Sequence, residues 1–272
     1  VEPDAVPEGD TIRCWLPYPQ EGLPRQTGVE LISAWPERYV VAPKGTPQRS
    51  ICFEQPARRD SATVFRLAFR VTTRAQYFDP EELSKRVEPY DTLSEVYRKY
   101  TAQRPPHLVF SERIERKARE LAGGETDPVR IVSRIYDWID DIPWAGAIEY
   151  GVIPNIPEYV LDAGHGDCGQ VSLLLIAMLR SVGIPARWES GWMLHPGHVG
   201  LHDWGSVYYE GVGWVPLDIS FGKLAASADP AVRDFYKTGM DSYRLVVNSD
   251  YGYPFDPPKR HMRSEPVDFQ RG

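Results

Sequence analysis

Three residue types that together can perform nucleophilic chemistry follow one another along the chain: Cys168, then His202, then Asp218. Cys168 stands at the start of a long apolar run, so its thiol is expected in the first turn of a helix. Unpaired backbone N–H groups and the helix dipole there favour the thiolate, which is the nucleophilic form of the side chain. A histidine can exchange protons with the sulfur, and a carboxylate can orient the imidazole. The order Cys, His, Asp therefore predicts a catalytic triad.

The elements around these residues indicate how the three side chains would meet. The apolar run predicts a central, buried helix over residues 168–182 that ends at Gly183. Strand-like segments follow at 186–192 and 203–209, and after a turn the segment 214–218 returns antiparallel. A hairpin of that length brings residues 202 and 218 to the same end of neighbouring strands. If both strands pack against the helix, the triad assembles.

Residues from about 131 to 221 resemble the transglutaminase-like superfamily of papain-type thiol enzymes. Four motifs carry the resemblance together: Gly166-Asp167-Cys168-Gly169, the segment LRSVGIPAR at 179–187, His202-Asp203-Trp204, and GWVPLD at 213–218. The resemblance is strongest to bacterial proteins in which this core follows a β-rich N-terminal region, and it extends along the tail 243–269. It implies that Cys168 is the nucleophile, His202 the general base and acid, and Asp218 the group that holds the imidazole.

The residue types indicate attack on the amide bonds of a peptide or protein. The thiolate attacks the carbonyl, the imidazole protonates the departing amine, and water or a second amine resolves the thioester. Water gives hydrolysis, which we favour, and an amine gives crosslinking. The backbone N–H of Cys168 is a candidate oxyanion donor.

The sequence also offers lesser candidates for the site. Trp144 or Tyr150 is a candidate for the second oxyanion donor. His165 is interpreted as a substrate contact rather than a rival base, and Trp204 belongs to a set of aromatic residues of which one or two are expected to line the cleft. Specificity is expected to reside in the segments 145–157 and 194–200.

Two alternative functions stay open. The same triad could release glycans from the amide of a glycan-bearing asparagine, as in a peptide N-glycanase-like deglycosylase. A binding module could also keep the fold without the chemistry. Because the complete triad argues for an enzyme, we rank the binding module last.

The fold class expected is α+β, with a papain-like transglutaminase core in which the cysteine helix packs on an antiparallel sheet. Short β-prone runs separated by glycine and proline over the first part of the chain predict a β-sandwich-like region before that core. We divide the chain into this N-terminal domain at 1–76, a connector at 77–110, and a catalytic domain with its C-terminal extension at 111–272. Two helices are expected at 111–121 and 127–139.

Composition narrows the range of partners. The 272 residues are 42% hydrophobic, which is sufficient for a sizeable core. A net charge of −7 without a basic stripe argues against nucleic acid, and no stretch reaches the length of a membrane span. The chain opens on Val1-Glu2-Pro3 without a leader, so we interpret it as a trimmed or mature form and expect export to the periplasm or the outside. The oligomeric state is left open.

The remaining cysteines and histidines carry weaker signals. Cys14 and Cys52 are expected to be buried free thiols rather than a disulfide, which leaves Cys168 as the odd, reactive cysteine. His195, His198 and His202 are spaced closely, but Pro196 and Gly197 indicate a loop without a second ligand cluster. We therefore expect no metal and no other cofactor.

Overall fold

A computed structural model describes residues 1–146, 148–221 and 229–259. Seven α-helices are seen in these ranges: α1 (Pro80–Arg86), α2 (Glu95–Tyr100), α3 (Glu112–Ala122), α4 (Pro128–Ile139), α5 (Ile156–Ala163), α6 (Cys168–Ser181) and α7 (Pro230–Phe235). The strands in the same ranges are β1 (Thr11–Pro17), β2 (Gln26–Trp35), β3 (Tyr39–Val41), β4 (Ser50–Pro56), β5 (Arg66–Thr73), β6 (Gln76–Tyr77), β7 (Ala186–His195), β8 (His198–Tyr209), β9 (Gly213–Leu217), β10 (Gly239–Met240) and β11 (Arg244–Asn248). Short 3₁₀ turns lie at Tyr150–Val152 and Ile219–Phe221.

The first five strands form two antiparallel layers. One is a three-stranded sheet in the order β1-β4-β3, and the other pairs β2 with β5. Side chains along β5 alternate between exposed and half-buried, as the sequence predicts for a strand with one covered face. Tyr18, Ile51 and Phe53 form the buried centre between the layers, and apolar side chains of β2 and β5 pack on them. This is the β-sandwich-like arrangement that was expected.

A four-stranded sheet follows, with the order β11-β7-β8-β9, and it is antiparallel throughout. Helix α6 lies on one of its faces, against β7 and β8, and α3, α4 and α5 surround the rest of the helix. Every residue of α6 from Gly169 to Arg180 is buried, which is why the run is apolar on all sides rather than on one stripe. The predicted α+β class, with the cysteine helix on an antiparallel sheet, is confirmed.

Helix boundaries follow the capping signals of the sequence. Ser111 and Asp127 are the N-caps of α3 and α4, and each side chain accepts a hydrogen bond from a backbone N–H of the first turn. Helix α6 ends at Ser181, and Gly183 follows with a φ of +81°, a conformation that other residues rarely adopt.

Other expectations need correction. β8 begins at His198, five residues before the predicted start, so His202 lies inside a strand. The segment 194–200, predicted as a specificity loop, is the tip of a tight hairpin whose turn has Gly197 at a φ of +80°. Helices α2 and α5 occupy parts of the chain that were assigned to a connector and a loop. The division into three domains remains a prediction, and the tail beyond residue 259 lies outside the described residues.

The three cysteines are free thiols. Cys14 is opposite Phe53 in the pairing of β1 with β4, and Cys52 is opposite Trp15. Because neighbouring residues of a strand point to opposite faces, the two thiols lie on different sides of the sheet. Cys52 is buried, as expected, whereas Cys14 is only half-buried.

No helix in the described parts of the chain combines the length and the apolar character needed to cross a bilayer.

Candidate active site

The first turn of α6 is held in place by a reciprocal set of hydrogen bonds. Asp167 Oδ1 accepts from the backbone N–H of Gln170 at 2.9 Å, and Gln170 Oε1 accepts from the backbone N–H of Asp167 at 3.2 Å. The hydroxyl of Tyr150 also donates to Asp167 Oδ1. Cys168, the first residue of the helix, is therefore fixed on a rigid element with its own N–H in the unpaired first turn.

His202 and Asp218 form a buried pair at one end of the four-stranded sheet. His202 Nε2 lies 2.7 Å from Asp218 Oδ2, and the carboxylate is fully buried. Burial opposes ionisation of Asp218, but the His202 imidazole and Arg244 outweigh it and hold the pKa of the carboxyl below its usual value. An ionised carboxylate can only accept a hydrogen bond, so Nε2 carries the proton. The other ring nitrogen, Nδ1, is then the basic atom.

Arg244, the first residue of β11, contacts the same oxygen of Asp218 as His202 does. Its Nη2 donates to Asp218 Oδ2 at 3.1 Å, and its Nη1 lies 3.1 Å from both Asp241 Oδ2 and His195 Nε2. The guanidinium is completely buried and lies 4.3 Å from the centre of the Phe221 ring. The carboxylate that faces the imidazole is thus fixed by three groups, His202, Arg244 and the backbone N–H of Ser220, which donates to Oδ1 at 3.0 Å. The sequence predicted only the first of them.

The sulfur of Cys168 contacts the residue that follows His202 in the chain. Its S–H group donates to Asp203 Oδ2, with Sγ and Oδ2 3.5 Å apart, and the backbone N–H of Asp203 donates to the sulfur. β9 ends at Leu217, opposite Gly205, so the edge of β8 beyond that point is open to the first turn of α6. No hydrogen bond joins the thiol to the imidazole within the described ranges.

Strand geometry explains why Asp203, and not His202, meets the sulfur. Val207 and Tyr209 share a buried cluster with α6, whereas Trp204 packs in a separate cluster on the other side. Because side chains alternate along a strand, Asp203 faces α6 and His202 faces away from it. Cys168, His202 and Asp218 therefore lie around the same end of β8. The imidazole is on one side of the sheet, and the thiol is at its edge.

Charge around the sulfur favours the thiol over the thiolate. Burial raises the pKa of Cys168 well above its usual value, and the negative charges of Asp203 and Asp167 add to this effect. The expectation that the helix start alone would favour a thiolate is thus opposed by two neighbouring carboxylates.

The lesser candidates of the sequence are placed as follows. Trp144 is 57% exposed and pairs through its backbone with Gly166, two residues before the cysteine. Tyr150 is buried, and its hydroxyl donates to Asp167, so it supports the helix cap; its role as an oxyanion donor stays a prediction. His165 is half-buried in the turn before α6, against the ring of Tyr159.

Trp204 is one of the aromatic residues of that set that pack in the core. It is fully buried on the face of β8 that His202 shares, and its Nε1 donates to Glu189 Oε2 at 2.9 Å. Glu189 also accepts from Arg187 Nη2 and Ser206 Oγ, each at 2.8 Å. Burial opposes the charge of Glu189, but Arg187 and Arg25 outweigh it and lower the pKa of this carboxyl. The cluster fixes β7 to β8 next to the His202–Asp218 pair.

The histidine string shows no shared ligand position. His195 is engaged by Asp241 and Arg244, and His202 by Asp218. Among the residues that the structure describes, no group of three His, Cys, Asp or Glu side chains could hold a metal ion.

Comparison with known proteins agrees with this architecture. Residues 115–219, which contain the cysteine helix and the His202–Asp218 pair, match the sequence model of the Transglutaminase-like superfamily. The chain has the fold of the "Putative Cysteine Protease" from Cytophaga hutchinsonii, with a TM-score of 0.56 and 16% identity over 88% of this chain and 78% of that one. The fold and the site together define a protein that combines helices with antiparallel sheets and carries a cysteine at the start of a helix. Within the chain, residues 115–219 are thus similar to the transglutaminase-like superfamily.

Two further similarities are more distant. The periplasmic domain of TgpA from Pseudomonas aeruginosa aligns with 80% of this chain and 74% of its own length, at a TM-score of 0.41 and 17% identity. "Uncharacterized protein YebA" of Bacillus subtilis (strain 168) is 23% identical over 130 residues, which are 41% of this chain and 18% of that protein. The match thus spans less than a fifth of the length of that curated relative.

Proposed function

We propose that this protein is a cysteine-dependent enzyme that hydrolyses amide bonds of peptides or proteins. Cys168 is the nucleophile, His202 the general base and acid, and Asp218 the group that orients the imidazole. The observation that carries the proposal is the buried hydrogen bond of 2.7 Å between His202 Nε2 and Asp218 Oδ2, beside the first turn of the cysteine helix. The match of residues 115–219 to the transglutaminase-like superfamily supports the same class of chemistry.

The proposed reaction gives each group a role. The thiol passes its proton to Nδ1 of His202, and the sulfur attacks the amide carbonyl while the carbonyl π electrons move to the oxygen. The backbone N–H of Cys168 at the helix start can donate to that oxyanion. The imidazolium, held by Asp218, then protonates the leaving amine, and a thioester forms. Water, deprotonated by His202, releases the acid and restores the thiol.

Exposure of the site favours water as the second reactant. Cys168 is half-buried, and Trp144, whose backbone pairs with Gly166 in the turn before it, is largely open to solvent, so we favour water as the reactant that resolves the thioester. Transfer to an amine is the competing outcome, and the same experiment detects it.

The test is to incubate the protein and its Cys168→Ala variant with a mixed peptide library and a primary-amine probe, read by mass spectrometry. Cys14→Ala is the matched control, because it removes a half-buried thiol at a distance from the site. We expect cleaved peptides with the parent protein and with C14A, and none with C168A.

Each result has a defined meaning. Amine-tagged glutamines that disappear in C168A would replace hydrolysis by acyl transfer. Release of glycans from a denatured glycoprotein, lost in the same variant, would replace it by deglycosylation. Equal results for the parent and for C168A would overturn the enzymatic proposal and favour a binding module.

A further inference from the structure

The nucleophile candidate shares its immediate surroundings with a second carboxylate that the triad does not use. Asp203 Oδ2 lies 3.5 Å from Cys168 Sγ, on the face of β8 that meets the helix. Asp203 is half-buried, so its charge is only partly screened by solvent. Asp167, which caps the helix, adds a second negative charge near the sulfur.

This arrangement stabilises the thiol as long as the site is empty of substrate. The S–H group donates to Asp203, and a thiolate in its place would face the carboxylate at the same distance. Repulsion between the two anions therefore opposes the deprotonation on which nucleophilic attack depends. A positive charge brought next to Asp203 would remove that opposition and compete for the carboxylate with the S–H donor.

We propose that Asp203 selects substrates that carry an ammonium or guanidinium group next to the reacting carbonyl. The inference rests on the proposed function and names the class of substrate for that site. The cation pairs with Asp203 Oδ2, and the S–H bond turns from Asp203 to His202 Nδ1. The proton then passes to the imidazole as the S–C bond forms and the carbonyl π bond breaks.

A second observation fits a cationic substrate. Trp144 is 57% exposed, and its backbone pairs with Gly166 at the turn that leads into the cysteine helix. The face of an indole attracts ammonium and guanidinium groups. The carboxylate of Asp203 and the exposed ring of Trp144 both suit a cation.

The test uses two small thiol reagents of opposite charge on the intact protein. Aminoethyl methanethiosulfonate is a cation and sulfonatoethyl methanethiosulfonate is an anion, and each forms a disulfide with the sulfur as methanesulfinate leaves. The rate of modification at Cys168 is followed by mass spectrometry of the peptide that contains it. The ratio of the two rates is normalised to the same ratio for free cysteine.

We expect the parent protein to prefer the cation at least tenfold after normalisation, and Asp203→Asn to lose most of that preference. Asp203→Glu keeps the charge and is expected to keep the preference, which separates the effect of charge from a disturbance of the strand. Asp162→Asn is the matched control, since it makes the same change in net charge at a residue of α5 that pairs with Arg113 on the surface.

A ratio near that of free cysteine, or one that D203N leaves unchanged, would overturn the proposal. Because the readout is modification of the sulfur and not turnover, it does not depend on the peptide assay. Retained cleavage in C168A would refute the proposed function while the charge preference stands, and lost preference with intact cleavage would refute this inference alone.

Discussion

Arg244→Met tests whether the buried ion pairs behind the imidazole stabilise the fold. Methionine fills much of the space of the arginine stem but removes the guanidinium. Asp218 loses the donor at 3.1 Å, and Asp241 loses another at the same distance. Each carboxylate keeps other contacts, since Asp218 still faces His202 and Asp241 still accepts from the hydroxyl of Tyr236 at 2.8 Å.

Removal of one member of a buried ion pair costs about 3–5 kcal/mol. Because both carboxylates keep hydrogen bonds, we take the lower end, about 3 kcal/mol, for R244M. For a chain of this size, 1 kcal/mol corresponds to roughly 2–4 °C, so the melting temperature should fall by about 6–12 °C at neutral pH.

The pH dependence of this loss has a defined sign. The pKa of Asp218 is held below the ordinary value of 3.8, so the charge of Asp218 stabilises the fold above that pH and ceases to do so as the carboxyl is protonated. Without Arg244 this pKa rises. The gap in melting temperature between the parent and R244M should therefore be constant near neutral pH and narrow in acid below about pH 4.

The assay is thermal unfolding followed by circular dichroism between neutral and acid pH. Arg70→Met is the matched control, because Arg70 pairs with Glu30 at 2.9 Å on the exposed surface, where a pair contributes about 0–1 kcal/mol. A melting temperature of R244M within about 2 °C of the parent would refute the reasoning. A gap that widens in acid would refute the assignment of the effect to Asp218.

Two further substitutions probe the packing around the site. A methyl group at Gly169 would collide with the side chains of Tyr150 and Trp188, so Gly169→Ala should lower the free energy of unfolding by about 1–3 kcal/mol. Gly124→Ala is the control, because the added atom has nothing within 4 Å, and it should leave the free energy of unfolding unchanged. Urea unfolding measures both. Glu189→Gln leaves Arg187 and Arg25 without their buried counter-charge and should lower the free energy of unfolding by about 3 kcal/mol in urea. An unchanged unfolding midpoint would contradict the role given to that carboxylate.

Sequence patterns were sufficient for the elements that carry the site. The apolar run and the glycine after it located α6, and the lengths of the strands brought His202 and Asp218 to the same end of the sheet. These features depend on local periodicity and on hairpin geometry, both of which a single sequence contains.

The charged residues around the pair were missed for a different reason. Alternation shows that Asp203 and His202 point to opposite faces of β8, but tertiary packing decides which face the helix covers. Arg244 reaches Asp218 from the far edge of the sheet, across a strand order that does not follow the chain. Trp204 and Tyr150 are aromatic residues whose polar atoms have buried acceptors, which composition does not reveal.

The strand that begins with Arg244 is also fastened to the N-terminal layers. Gln26 donates to Val246 O and accepts from Val246 N, each at 2.8 Å, and Arg25 Nη1 donates to the carbonyl oxygen of Arg244 at 3.1 Å. These bonds join residues about 220 positions apart. During synthesis, Asp218 therefore gains its contact with Arg244 only after residue 244 has left the ribosome and β11 has bonded to Arg25 and Gln26, which were made much earlier. A nascent chain that already contains Cys168 and His202 lacks the contact between Arg244 and Asp218 until β11 has docked, so the proposed enzyme should begin to cleave peptides only then.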